Sequence, residues 1–127
     1  IQNNKSITIN NFGNHYRDFT YIDDAIKCVF KLLTLRQFHK QEKLNNPYFQ
    51  IFNLGGGKKI KITKIVSILE KYLNKKAKIN MGPLKKGDII SSQSDISKLK
   101  RNIKYFPNTS IDTGLKKFVE WFIKIIN

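Results

Sequence analysis

A single cysteine, Cys28, in 127 residues leaves no internal disulfide to form, and its neighbours Ala25, Val29 and Phe30 suit a small buried hydrophobe. Such sparing use of cysteine fits a reducing cytoplasm. No apolar run approaches the roughly 20 residues that span a bilayer, so no membrane partner is expected. The opening stretch, Ile1 to Ser6, is polar, with no signal-peptide core and no initiating Met, and the chain is expected to begin inside a longer protein. Acidic residues are few, 9 against 24 Lys and Arg, for a formal net charge of +15. Arginine is scarce as well, at 3 against 21 lysines. A DNA reader usually relies on the bidentate fork of Arg. Lys, Ile and Asn, all with AT-rich codons, supply 53 of the 127 residues, and the lysines are spread along the whole chain. The charge is therefore read as biased composition acting on solubility and steering, with a basic nucleic-acid-binding domain as the rival reading.

Several chemical motifs are missing too. No strand is followed by a G-x-G-x-x-G turn, so no dinucleotide fingerprint is present. Gly55-Gly56-Gly57-Lys58 fails the spacing of a phosphate-binding loop and lacks the Ser or Thr after its Lys, which leaves a strand-to-helix turn. His15, His39 and Cys28 lack metal-ligand spacing. Asp23 and Asp24 are adjacent at a helix start, where they point apart and serve capping better than acid–base work. His15 is expected to be an exposed loop histidine, with a second phosphate contact as the alternative.

What is present reads as one mixed α/β unit, with 40% hydrophobic residues, enough for a modest core. Ser6 to Asn10 alternates with β-branched residues and predicts a short strand. Arg17 to Ile22 reads as extended, and Asp23 as the N-cap of a helix whose apolar face is Ala25, Ile26, Val29, Phe30, Leu32 and Leu33. Gln37 to Pro47 reads as a loop. Tyr48 to Asn53 is apolar on both faces and predicts a strand inside a covered parallel sheet. With no other strands of that sheet in the chain, it is expected to leave a hydrophobic edge. Ile62 to Leu73 predicts a helix ending near Asn74, Ala77 to Asn80 a strand, Gly82 to Asp88 a loop, Ser94 the cap of a short helix, and Asn108-Thr109-Ser110 the start of a last helix carrying Leu115, Phe118, Val119 and Phe122.

One segment stands out chemically. Arg17-Asp18-Phe19-Thr20-Tyr21-Ile22-Asp23-Asp24 places a guanidinium at the end of a loop, ahead of an aromatic extended stretch and an acid-led helix. A planar guanidinium can grip a diphosphate through two parallel charge-assisted hydrogen bonds; it can equally pair with Asp18 or another nearby acid. This octet resembles the R-D-F-T-Y-I-D-D signature of nucleotide-sugar epimerases, particularly UDP-glucuronate 4-epimerases of the extended short-chain dehydrogenase type. Further similarities follow in order: Phe52-Asn53-Leu54-Gly55, the helix with Leu69-Glu70 and Leu73, the loop with Gly87-Asp88, then Asp95, Tyr105 with Pro107 to Ile111, and Gly114-Leu115 with Phe118-Val119 and Trp121. They cover nearly the whole chain.

The resemblance implies the C-terminal, substrate-binding part of an extended Rossmann-type epimerase, residues 1–127, with its N-terminal dinucleotide-binding half absent. It implies that Arg17 holds the nucleotide diphosphate, that Lys85 lies near it, that Asp88 contacts the ribose hydroxyls, and that Ile9-Asn10-Asn11 lines the uracil pocket with backbone groups. UDP-sugar is the implied ligand, NAD the cofactor of the parent family but not of this chain alone, and the N-terminal Rossmann half the missing partner; a homodimer of the full enzyme stays open. The family's Tyr-x-x-x-Lys base belongs to that half. Tyr72-x-x-x-Lys76 matches its letters but lies in the wrong place. The sequence also departs from the family: Lys85 replaces the usual Arg or Gln, Lys86 stands where Pro is common, and Asn10 where an apolar residue is common. Other epimerases or dehydratases of the superfamily, and a non-catalytic remnant that binds a nucleotide or a partner chain, are the alternatives.

Overall fold

The strands are three residues long and only Ile7-Thr8-Ile9 is β-branched throughout, whereas longer amphipathic runs form helices. The computed structural model describes residues 1–34 and 50–126. Its elements are β1 (Ile7–Ile9), a 3-10 turn (Asn11–Gly13), β2 (Tyr16–Asp18), α1 (Ile22–Thr34), β3 (Lys59–Lys61), α2 (Ile62–Leu73), β4 (Ile79–Met81), α3 (Ser97–Ile103) and α4 (Ile111–Ile126). The class is mixed α/β. No helix among the described residues is long and apolar enough to cross a membrane.

The strands form two small ladders. β1 pairs in parallel with β4, Ile7 opposite Ile79 and Ile9 opposite Met81. β2 pairs antiparallel with β3, Arg17 opposite Ile60. The second edge of β2 is used as well: the Tyr16 N–H donates to the Ile90 carbonyl at 2.9 Å, and the Ser92 N–H to the Tyr16 carbonyl at 3.2 Å. Thus β2 lies between β3 and the segment that follows the 82–88 loop.

The core is small. Cys28 and Leu99 are fully enclosed and pack with Ile96 and Ile103, joined by Leu32, Phe52 and Tyr105. Burying one such aliphatic side chain is worth about 1.5–3 kcal/mol. Val66, Ile68 and Val119 are buried as well, in the helices α2 and α4 that lie against each other. That helix pair is pinned by polar groups: the Tyr72 hydroxyl donates to Asp112, and the Lys71 ammonium reaches Asp112 at 3.3 Å. The tyrosine bond first, then the neighbouring lysine, hold the Asp112 carboxyl below the usual carboxylate range.

α2 ends as its sequence predicts. Asn74 adopts the left-handed conformation, φ 49, and its N–H returns to the Glu70 carbonyl. Ser110 caps α4 by accepting the Thr113 N–H at 3.1 Å.

Three expectations are corrected. α1 begins at Ile22, so Asp23 lies inside its first turn and is not the cap. α3 begins at Ser97, and Ser94 does not cap it; the Ser97 N–H goes to the Asp95 carboxylate at 2.9 Å. The strand expected over Tyr48 to Asn53 falls partly outside the described residues, and its described part, 50–53, joins no ladder. Lys59–Lys61 is a strand in its place, because the antiparallel edge of β2 supplies its partner groups. The Gln37 to Pro47 loop lies outside the described residues.

Candidate functional site

The end of β1 is turned sharply by three successive residues in the left-handed region, Asn11, Phe12 and Gly13, at φ 51, 47 and 79. Asn tolerates that region better than most residues, and Gly tolerates it freely. The turn is strapped to the chain leaving β4: the Gly82 N–H donates to the Ile9 carbonyl and the Phe12 N–H to the Gly82 carbonyl, both at 2.9 Å. The loop then runs to a second tight turn, where the Asp88 N–H donates to the Lys85 carbonyl at 3.1 Å. Gly87 stands there at φ 86, and a Cβ added to it would meet nothing within 4 Å, so conformation and not crowding calls for glycine.

These two turns meet. The Asn10 amide nitrogen donates to an Asp88 carboxylate oxygen at 3.3 Å, across 78 residues of sequence. Lys85 shares the turn with Asp88, and both are exposed. The Asn11 amide is used locally, donating to the Asn14 carbonyl at 3.0 Å. Arg17 lies on β2, joined to the same region through the pairing of Tyr16 with residues 90–92. Its guanidinium donates to the Tyr16 carbonyl at 2.8 Å.

The local pairing of Arg17 with Asp18 does not occur, because successive strand residues face opposite sides. The Asp18 carboxylate instead accepts N–H bonds from Gly57 and Ser94, both at 3.0 Å. Sequence reasoning missed this role. The Gly55-Gly56-Gly57 run was its signal: a Cβ on Gly56 would fall 2.4 Å from the Phe19 carbonyl oxygen and 2.9 Å from the Asp18 carboxylate. The glycines let the turn close on a carboxylate.

His15 is a second correction. It is 7% exposed, not an exposed loop histidine: the Ile62 N–H donates to its carbonyl at 2.9 Å and fastens it to the start of α2, and its Nε2 has no hydrogen-bond partner among the described residues. Asp24 is the third surprise: it is buried, and accepts the Asn108 and Thr109 N–H groups at 3.0 and 2.7 Å and the Tyr105 hydroxyl at 3.1 Å. Burial pushes its pKa up, but these hydrogen bonds outweigh burial and leave it below the ordinary carboxylate value.

A separate open cleft of about 670 Å³ is lined by Phe19, Tyr21, Ser94, Lys100 and Asn108, among others, and includes none of the five expected site residues. Among the described residues, no three His, Cys, Asp or Glu side chains gather as metal ligands would. Tyr72 bonds Asp112 while Lys76 bonds Glu70 at 3.0 Å, so these two do not form a Tyr–Lys pair.

No protein-family model matches the chain. It is 40% identical over 130 residues to UDP-glucuronate 4-epimerase 2 of Arabidopsis thaliana, covering 97% of this chain and 30% of that protein. It superposes on the UDP-glucuronic acid 4-epimerase of Bacillus cereus, solved with UDP-glucuronic acid and NAD, with a TM-score of 0.80 and 30% identity, over 97% of this chain and 37% of that one. The UDP-glucose 4-epimerase of Thermotoga maritima, solved with UDP-glucose, gives a TM-score of 0.79 at 25% identity, over 99% and 37%. The chain thus spans about a third of the length of these relatives, consistent with the C-terminal portion of an extended Rossmann-type epimerase. NAD is present in the Bacillus cereus structure. The residues described here do not fit it: the one run of glycines is closed around the Asp18 carboxylate, which would repel a pyrophosphate.

Proposed function

We propose, from the premise that its homologues are UDP-glucuronate 4-epimerases and that it matches about a third of their length, that this chain is the nucleotide-sugar-binding portion of a UDP-sugar 4-epimerase of the UDP-glucuronate or UDP-glucose type. The observation that carries the reading is the meeting of the β1 end with the Lys85–Asp88 turn, since it joins an acceptor for hydroxyls to a cation for phosphate. In this reading Asp88 accepts from the ribose hydroxyls. Lys85 offers a point charge to the diphosphate, Arg17 leaves its own strand carbonyl to fork onto it, and the backbone of Ile9, Asn10 and Asn11 borders the uracil.

Calorimetric titration with UDP tests it. The 127-residue chain binds UDP, and Arg17→Ala weakens binding about tenfold or more, as loss of a hydrogen-bonded charge at a phosphate does. No UDP binding, or steep salt-dependent DNA binding in its place, would reject the reading.

Chemistry needs groups that these residues do not supply. We expect the purified chain neither to epimerise UDP-glucuronate or UDP-glucose nor to retain NAD, because it carries no dinucleotide fingerprint and Tyr72 and Lys76 are engaged elsewhere. Chromatographic detection of epimerised product from the chain alone would contradict this.

A further inference from the structure

We infer that Asn10 is a positioning residue, whose amide fixes the Asp88 carboxylate in the orientation that receives the ribose hydroxyls. This rests on the proposed role of Asp88. An ionised carboxylate only accepts, so the amide must turn its NH₂ toward Asp88, and the observed donor is indeed Nδ2, at 3.3 Å. The bond is long, but its acceptor is charged.

The two partners differ in how firmly they are held. Asn10 closes a strand, its carbonyl takes the Gly13 N–H at 3.0 Å, and the Ile9 carbonyl beside it takes the Gly82 N–H. Asp88 stands on an exposed loop just after a left-handed glycine. A carboxylate there would otherwise sample several staggered rotamers. Asn10 ties it to the rigid strand end through one oxygen. The other oxygen has no protein donor among the described residues. A carboxylate has about four acceptor positions, so it can keep the Asn10 bond while receiving two hydroxyls. Ordering the acceptor before the ligand arrives lowers the cost of binding. An apolar residue at position 10 would leave Asp88 untethered.

The test compares UDP with 2′,3′-dideoxy-UDP, by calorimetry on the 127-residue chain. The unmodified chain prefers UDP. Asn10→Leu weakens UDP by about three- to tenfold and leaves dideoxy-UDP unchanged, so the preference for ribose collapses. Asp88→Asn has the same effect, and the double variant is no worse than Asp88→Asn alone. Asn10→Ala, which removes the amide without adding bulk, repeats the measurement should the leucine disturb folding. Equal weakening of both nucleotides, full additivity with Asp88→Asn, or an unchanged preference would overturn the inference while UDP binding itself persists. Failure of the unmodified chain to bind UDP would instead overturn the proposed function, and this inference with it.

Discussion

Replacing Asp24 with Ala lowers the unfolding free energy by about 3 kcal/mol, because it strips the acceptor from three donors in one buried place. The Asn108 and Thr109 amides and the Tyr105 hydroxyl all converge on this carboxylate. Without it the segment that leads into α4 loses its anchor to α1. Tyr105→Phe removes only one donor and costs about 1 kcal/mol. Urea denaturation at fixed protein concentration separates these values. The pH dependence follows from the depressed Asp24 pKa. A carboxylate with a folded pKa below its unfolded value contributes stability fully above the ordinary value of about 4, and loses it as the pH falls through the folded pKa. The unmodified chain therefore loses stability on acidification in that range, and Asp24→Asn flattens that part of the profile. An Asp24→Ala midpoint equal to that of the unmodified chain would show that the anchor is dispensable.

The isolated chain is expected to self-associate at micromolar concentration, through the open side of α1. Two rows run along that helix. Asp24, Cys28 and Leu32 face the core, whereas Ile22, Ile26, Val29, Phe30 and Leu33 face outward, with Phe30 66% and Leu33 80% exposed. Trp121 and Ile125 on α4 are exposed as well. An apolar surface of this extent is rare on a monomer. Light scattering is expected to show a mass that rises with concentration, and Phe30→Lys with Leu33→Lys to return it to that of a single chain. A constant monomer mass for the unmodified chain over the micromolar range would refute this.

How much the sequence discloses depends on what kind of information each element needs. Asn74 and Ser110 act within one helical turn of their own positions, so local chemistry reveals them. Cys28 is buried as expected, but Ile26, Val29, Phe30 and Leu33 of the expected apolar face of its helix are exposed, because the core lies on the side of Asp24, Cys28 and Leu32. β3 is different. Lys-Ile-Lys has little strand character, and it becomes a strand because β2, well before it in the chain, offers an open edge. Tyr48 to Asn53 shows the reverse: strong strand character, yet the described residues 50–53 belong to no ladder. At the site, the R-D-F-T-Y-I-D-D likeness drew attention to Arg17, and the Gly-Asp loop to Asp88. The partners of Asp18 and Asp24 were hidden, since they come from 39 to 85 residues away. The burial of His15 is hidden for a similar reason: what covers a residue is a tertiary matter, and its polar neighbours in sequence say nothing of it.

The pairing of β1 with β4 also sets the order of events during synthesis. Ile7 waits for Ile79, and Asn10 for Asp88, so the corner proposed to face the nucleotide cannot exist on a nascent chain until residue 88 has left the ribosome. Contacts this far apart must close a long loop before they return any stabilisation, which slows folding. The core around Cys28 and the anchor at Asp24 wait longer still, for residues 96–109, so the proposed nucleotide corner can close before either of them.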